Sequence, residues 1–187
     1  MNIVMFGPPG AGKGTQAKYL VKKLNNFQIS TGEMLRDEIK KDTETGKKII
    51  NYMNDGKFVE DEIVNKLLEK IIFDPTKMNK LIFDGYPRTL NQAKNLESLL
   101  NKSNQKIDHI FFLNANKEAI IKRIEKRKIL EKRSDDDANT ILKRYDTYME
   151  VTKPVLDYYS KNKNFHEIDG SMEINDIAQK IEEILKV

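Results

Sequence analysis

The nine residues Gly7-Pro8-Pro9-Gly10-Ala11-Gly12-Lys13-Gly14-Thr15 have the composition and spacing of a loop that holds a nucleoside triphosphate. Glycines let a backbone turn so tightly that its N–H groups converge. A helix opening behind such a loop adds partial positive charge for an anion. Lys13 supplies a mobile ammonium for the β- and γ-phosphates. The general pattern places Ser or Thr directly after the lysine to hold magnesium. Here Gly14 intervenes and Thr15 comes one place later.

A second chemical element lies at Leu81-Ile82-Phe83-Asp84-Gly85-Tyr86-Pro87-Arg88. It reads as an apolar strand that ends in a carboxylate, followed by a rigid turn. Ligands of open parallel sheets bind at the carboxyl ends of strands, so Asp84 is expected beside the phosphates, holding Mg²⁺ through water. Gly85 permits close backbone approach, and Pro87 fixes the turn, with a cis peptide as one option. Arg88 then presents a forked cation suited to bidentate phosphate recognition. Thr89 and Gln92 have the spacing of a capping box, and a glutamine there could equally read a base edge. Spacing alone does not separate these roles.

The elements that must position these groups follow from periodicity. Short apolar runs at Asn2–Phe6, Phe27–Ser30, Lys80–Asp84, Ile107–Leu113 and Asn164–Ile168 alternate with helical patterns. This predicts an α/β fold with a five-stranded parallel sheet flanked by helices. Glu60–Phe73 and the carboxy-terminal Ile174–Leu185 carry apolar stripes at helical spacing, which are core rather than chemistry. Thr31–Val59 is mostly helical and polar with no strand, and Lys128–Ser134 reads as a short charged crossing between two helices. Both depart from plain alternation, and such excursions are where ligand-covering parts sit.

The chain's 187 residues suffice for one domain with small inserted lobes. No apolar run approaches the roughly 18 residues of a membrane span, and Met1–Phe6 lacks the basic start of a signal peptide. There are no cysteines, which excludes disulfides and thiolate zinc sites and fits a cytoplasmic protein. The net charge of +4 is modest, and the basic run Lys122–Lys132 has no interleaved aromatics to stack on bases. No nucleic-acid or membrane partner is expected. Without heptads or a large exposed apolar stripe, a monomer is expected.

Together these residues resemble the adenylate kinase family of nucleoside monophosphate kinases. Gly-Lys-Gly-Thr is that family's variant of the loop, so Gly14 supports the resemblance. Ser30-Thr31-Gly32-Glu33-Met34-Leu35-Arg36 is similar to its monophosphate-binding segment, and Asp84-Gly85-Tyr86-Pro87-Arg88 to its central strand motif. The similarity runs on through Arg123, Arg127, Arg133-Ser134-Asp135-Asp136 and Arg144. It covers essentially the whole chain.

The resemblance implies a P-loop kinase three-layer fold over residues 1–187. A monophosphate-binding lobe would be inserted at 30–59 and a short lid at 126–137. It implies that Gly10, Ala11, Gly12, Lys13, Gly14 and Thr15 cradle ATP, with Arg123 and Arg127 beside its phosphates and adenine. Thr31, Arg36, Val59, Gly85, Tyr86, Arg88 and Gln92 would hold AMP, with Lys57 and Phe58 along one edge. Arg133 and Arg144 would close over the transferring group. Thr31 and Thr89 favour AMP, because pyrimidine-type relatives tend to carry Ala and Asn there. The expected reaction is ATP + AMP ⇌ 2 ADP, with Mg²⁺ and no zinc. The acceptor is already an anionic phosphate oxygen, so no general base is required, and His109 and His166 have no catalytic role. Lys13, Arg88, Arg123, Arg133, Arg144 and Asp84 with its metal would neutralise the developing charge. Both excursions would close over the substrates to exclude water.

Overall fold

The computed structural model describes residues 1–131 and 138–187. Five strands, β1 (Ile3–Phe6), β2 (Phe27–Ser30), β3 (Leu81–Asp84), β4 (His109–Asn114) and β5 (Phe165–Asp169), pair in parallel. Their order is β2-β3-β1-β4-β5. The strands are shorter at their starts than the apolar runs suggest. Asn2, Lys80, Ile107 and Asn164 stand just outside them. At Asn2 the reason is visible: its buried side chain accepts from the Leu81 N–H and donates to Gln105 and the Lys106 carbonyl, tying strand starts together.

Alternation along each strand builds a core on both sides of the sheet. Val4, Phe6, Phe83, Ile110 and Phe112 point to one face, under α4 (Asp61–Ile72), α5 (Leu90–Lys102) and α8 (Lys153–Tyr159). Ile3, Met5, Ile82, Phe111 and Leu113 point to the other, under α1 (Lys13–Leu24), α6 (Lys117–Glu131) and α9 (Ile174–Leu185). The result is three layers. Two further helices, α2 (Thr31–Lys40) and α3 (Glu44–Asn54), make up the polar excursion after β2, and α7 (Ala138–Thr147) follows α6.

The Ser30-to-Glu33 segment starts α2 as a cap: Ser30 Oγ accepts from the Glu33 N–H at 3.4 Å. Thr43 does the same for α3, accepting from the Gly46 N–H at 3.0 Å. The charged crossing expected from Lys128 begins later than the sequence suggests. Helix α6 continues to Glu131, because Lys and Arg are good helix formers and nothing in that stretch breaks the pattern. Both histidines stand within strands, His109 in β4 and His166 in β5. No helix is long and apolar enough to cross a membrane, and no group of three or more His, Cys, Asp or Glu could hold a metal ion, both among the described residues.

Candidate active site

The glycine-rich loop leaves β1 and runs into α1, whose cap is Gly12 at φ 97°. Gly12 has no side chain to cap this helix, and among the described residues no other side chain takes that place, so its first N–H groups are open to an anion. Lys13 folds across the loop and donates to the carbonyls of Gly7 at 2.7 Å and Pro8 at 2.9 Å. Enclosure by the loop strips its ammonium of water and pushes its pKa down from 10.5 to about 8. The Asp84 carboxylate opposes this, and the charges of Arg88, Arg144 and Arg127 add to it. An ammonium with three guanidinium groups acting on it suits a polyanion.

Asp84 ends β3 next to β1, in register with Met5 and with Ser30 on the far side. Its Oδ2 accepts from Gln28 Nε2 at 3.0 Å. A Cβ at position 14 would stand 3.2 Å from the same oxygen. A side chain at position 14 would therefore require this carboxylate to give way by a few tenths of an ångström. A single hard carboxylate beside a phosphate-binding loop suits Mg²⁺, which keeps most of its waters.

The turn after β3 has a cis Tyr86–Pro87 peptide and Gly85 at φ 80°. A Cβ on Gly85 would lie 3.0 Å from both Arg88 and Thr31 Oγ1. The Gly85 carbonyl accepts from Thr31 Oγ1 at 2.8 Å and from Arg88 Nε at 2.7 Å, joining α2 to the arginine. The Arg88 guanidinium stands 5.0 Å over the Phe58 ring. Tyr86 is buried, and its hydroxyl donates to Asn65 and accepts from Asn95.

The structure brings most of the expected acceptor residues into one cavity. Thr31, Arg36, Gly85, Tyr86, Arg88 and Gln92 line it, as do Lys57, Phe58, Val59 and Arg144. Lys13 lines it too, which puts the donor lysine against the acceptor site. The Lys57 ammonium itself turns away to Asp55 at 3.2 Å. Gln92 takes up a cap role: Thr89 Oγ1 accepts from its backbone N–H at 3.1 Å. Gln92 is also one of the residues that line the cavity.

Arg123, expected in the phosphate clamp, reaches backbone carbonyls around the loop. Its guanidinium donates to the carbonyls of Gly170, Met172 and Ala11, fastening the loop to the segment after β5. Arg127 acts on Lys13 through its charge, without lining the cavity. Arg133 lies outside the described residues, as does the second half of the expected lid, 132–137.

Four residues at the site carried no sequence signal. Gln28 holds Asp84, and Asp61 holds Gln92 and Thr89. Tyr148 and Thr152, on a π-helical turn between α7 and α8, line the cavity with buried hydroxyls that have no hydrogen-bond partner. None of the four stands at a motif spacing, and the partners of Gln28 and Asp61 are brought near only by the fold.

A family model described as adenylate kinase matches residues 5–164. The chain is 50% identical to the adenylate kinase of Pelagibacter ubique (strain HTCC1062), with the whole of both chains covered. It is 40% identical to that of Mycoplasma capricolum subsp. capricolum, again over the whole of both. Against that of Archaeoglobus fulgidus the identity is 37%, covering all of this chain and 98% of the relative.

Proposed function

Because the chain belongs to the adenylate kinase family, whose reaction is ATP + AMP ⇌ 2 ADP, we propose how its own residues divide that work. The enzyme transfers a phosphoryl group from ATP to AMP and back. The observation that carries the reading is one cavity lined together by Lys13, Arg36, Arg88, Gln92 and Arg144, from five separate elements. A protein that only binds and senses a triphosphate has no use for the last four.

Gly10 to Thr15 hold the triphosphate through backbone N–H groups, and Lys13 neutralises its outer oxygens. Arg36 and Arg88 grip the AMP phosphate, while Gln92 reads its base. Arg88, Arg144 and Arg133 surround the group in transit, and Arg127 flanks the ATP side. Arg123 acts mainly by fixing the loop. Phosphoryl transfer passes through a loose transition state, so alignment and charge neutralisation supply most of the acceleration. The attacking AMP phosphate is already anionic, so no side chain removes a proton. Asp84, oriented by Gln28, would hold Mg²⁺ through water, and the ion would offset charge on the β- and γ-phosphates.

The lobe 30–59 closes on AMP, and the short lid 126–137 closes on ATP. The enzyme works as a cytoplasmic monomer on ATP, AMP and ADP, without zinc and without nucleic-acid or membrane partners. Its mixed surface charge and lack of cysteine support this. The test mixes ATP, Mg²⁺ and AMP and follows products by chromatography. Two ADP per AMP consumed, and negligible phosphate release without AMP, is the expected result. Steady ATP hydrolysis that ignores AMP would overturn the reading.

A further inference from the structure

Gln92 is held by partners that each accept only one kind of atom. Its Nε2 donates to Asp61 Oδ1 at 2.6 Å, and its Oε1 accepts from the Arg88 backbone N–H at 2.7 Å. A carboxylate only accepts and an N–H only donates, so the carboxamide has one possible sense. Rotating it would set oxygen against carboxylate and NH₂ against N–H. Thr89 completes the arrangement. Its hydroxyl donates to Asp61 Oδ2 at 3.0 Å while accepting from the Gln92 N–H, which fixes the carboxylate itself. Gln92 is 2% exposed, so no water substitutes for a lost partner without cost.

Each end of the amide keeps one unused valence, a second N–H and a second lone pair, on a residue that lines the cavity. We propose that Asp61 is a specificity-determining positioning residue. By locking the Gln92 amide it makes the acceptor site take a base edge with an amino group beside a bare ring nitrogen, and reject the edge with oxygen beside N–H. Adenine has the first pattern: its N6 amine meets Oε1 and its N1 accepts from Nε2. Hypoxanthine and guanine have the second, which sets oxygen against Oε1 and N–H against Nε2. Among the smaller bases cytosine presents the accepted order and uracil the rejected one. Asp61 also lies in the first turn of α4, where a carboxylate stabilises any helix. That role would alter stability without altering which base is chosen.

The inference rests on Gln92 reading the acceptor base. The experiment measures kcat/KM for AMP and IMP, which differ only at this edge, with wild type, Asp61→Asn and Gln92→Ala. An Asn at 61 can donate or accept, so the amide is freed at one of its two anchors. The AMP-to-IMP ratio is expected to fall roughly tenfold in Asp61→Asn, the scale of one hydrogen bond, with the KM for ATP unmoved. It should fall further in Gln92→Ala. A ratio that collapses in Gln92→Ala but holds in Asp61→Asn overturns the role of Asp61. A ratio that holds in Gln92→Ala overturns base reading by Gln92, and this inference with it. Wild type alone gives an independent check: CMP should be a better acceptor than UMP, and UMP equal to or better than CMP contradicts the locked amide.

Discussion

The two halves of the proposed site, the glycine-rich loop and the cavity beside it, would solve the same problem, holding a nucleotide phosphate, with different materials. The proposed donor half is backbone: six consecutive residues, Gly10 to Thr15, turn into the start of α1, and Lys13 is the side chain among them that would reach the phosphates. The acceptor half is side chains from four places in the chain: Thr31 and Arg36 on α2, Gly85 to Arg88 after β3, Gln92 on α5 and Arg144 on α7. They are joined by the Gly85 carbonyl, which binds Thr31 and Arg88, and by Asp61, which binds Thr89 and Gln92. Backbone amides recognise phosphate whatever base is attached. A side-chain network can also recognise the base, at the cost of depending on every member.

The largest effect should come from breaking the side-chain half. Arg88→Ala removes the cation proposed to grip the acceptor phosphate, and kcat/KM for AMP should drop by about 10³-fold or more, as for other arginines at transferring phosphoryl groups. Steady-state assays with ATP held saturating measure it, and a loss below about tenfold would remove Arg88 from the clamp. Lys13→Ala should cost less, roughly 10² to 10³ in kcat, because the loop N–H groups remain. If it costs more than Arg88→Ala, the donor half depends on its side chain and not its backbone.

A pH profile separates the halves without mutation. The Lys13 pKa is depressed to about 8, and the protonated form is the useful one. Its contribution is therefore present below that value and lost as pH rises through it. Between pH 8 and 9 kcat/KM for ATP should fall by up to about tenfold, while kcat/KM for AMP at saturating ATP stays level, since guanidinium groups stay charged there. A parallel fall in both would place the titrating group outside the donor half. The smallest effect is at Gln28. Gln28→Ala frees the Asp84 carboxylate, and the Mg²⁺ concentration giving half-maximal rate should rise by about tenfold or less, the scale of one hydrogen bond to a charged group. An unchanged Mg²⁺ requirement would show that Asp84 does not depend on Gln28.

The same contrast explains what the sequence disclosed. The donor half is contiguous, so its residues and the strand and helix flanking them are legible as a motif. The central strands β1, β3 and β4 are legible as well, because both faces are buried and the runs are mostly apolar, whereas the half-exposed edge strands β2 and β5 are legible by their place in the alternation with helices. The order that inserts β3 between β1 and β2 is not, since it depends on how the crossovers pack. Gln28 and Asp61 went unread because their partners lie 56 and 31 residues away, and no local pattern links them. Arg123 was legible as a cation on the correct helix face, but its preference for the carbonyls of Gly170, Met172 and Ala11 appears only when the segment after β5 is folded against the loop.

The most direct measurement compares base selectivity on the two sides. One series varies the acceptor among AMP, IMP, GMP, CMP and UMP at fixed ATP, and the other varies the donor among ATP, GTP, CTP and UTP at fixed AMP. With a backbone-built donor loop and a side-chain-built acceptor network, the spread of kcat/KM should be at least about tenfold wider across acceptors than across donors, with AMP the best acceptor. Equal spreads, or a donor series steeper than the acceptor series, would contradict the account.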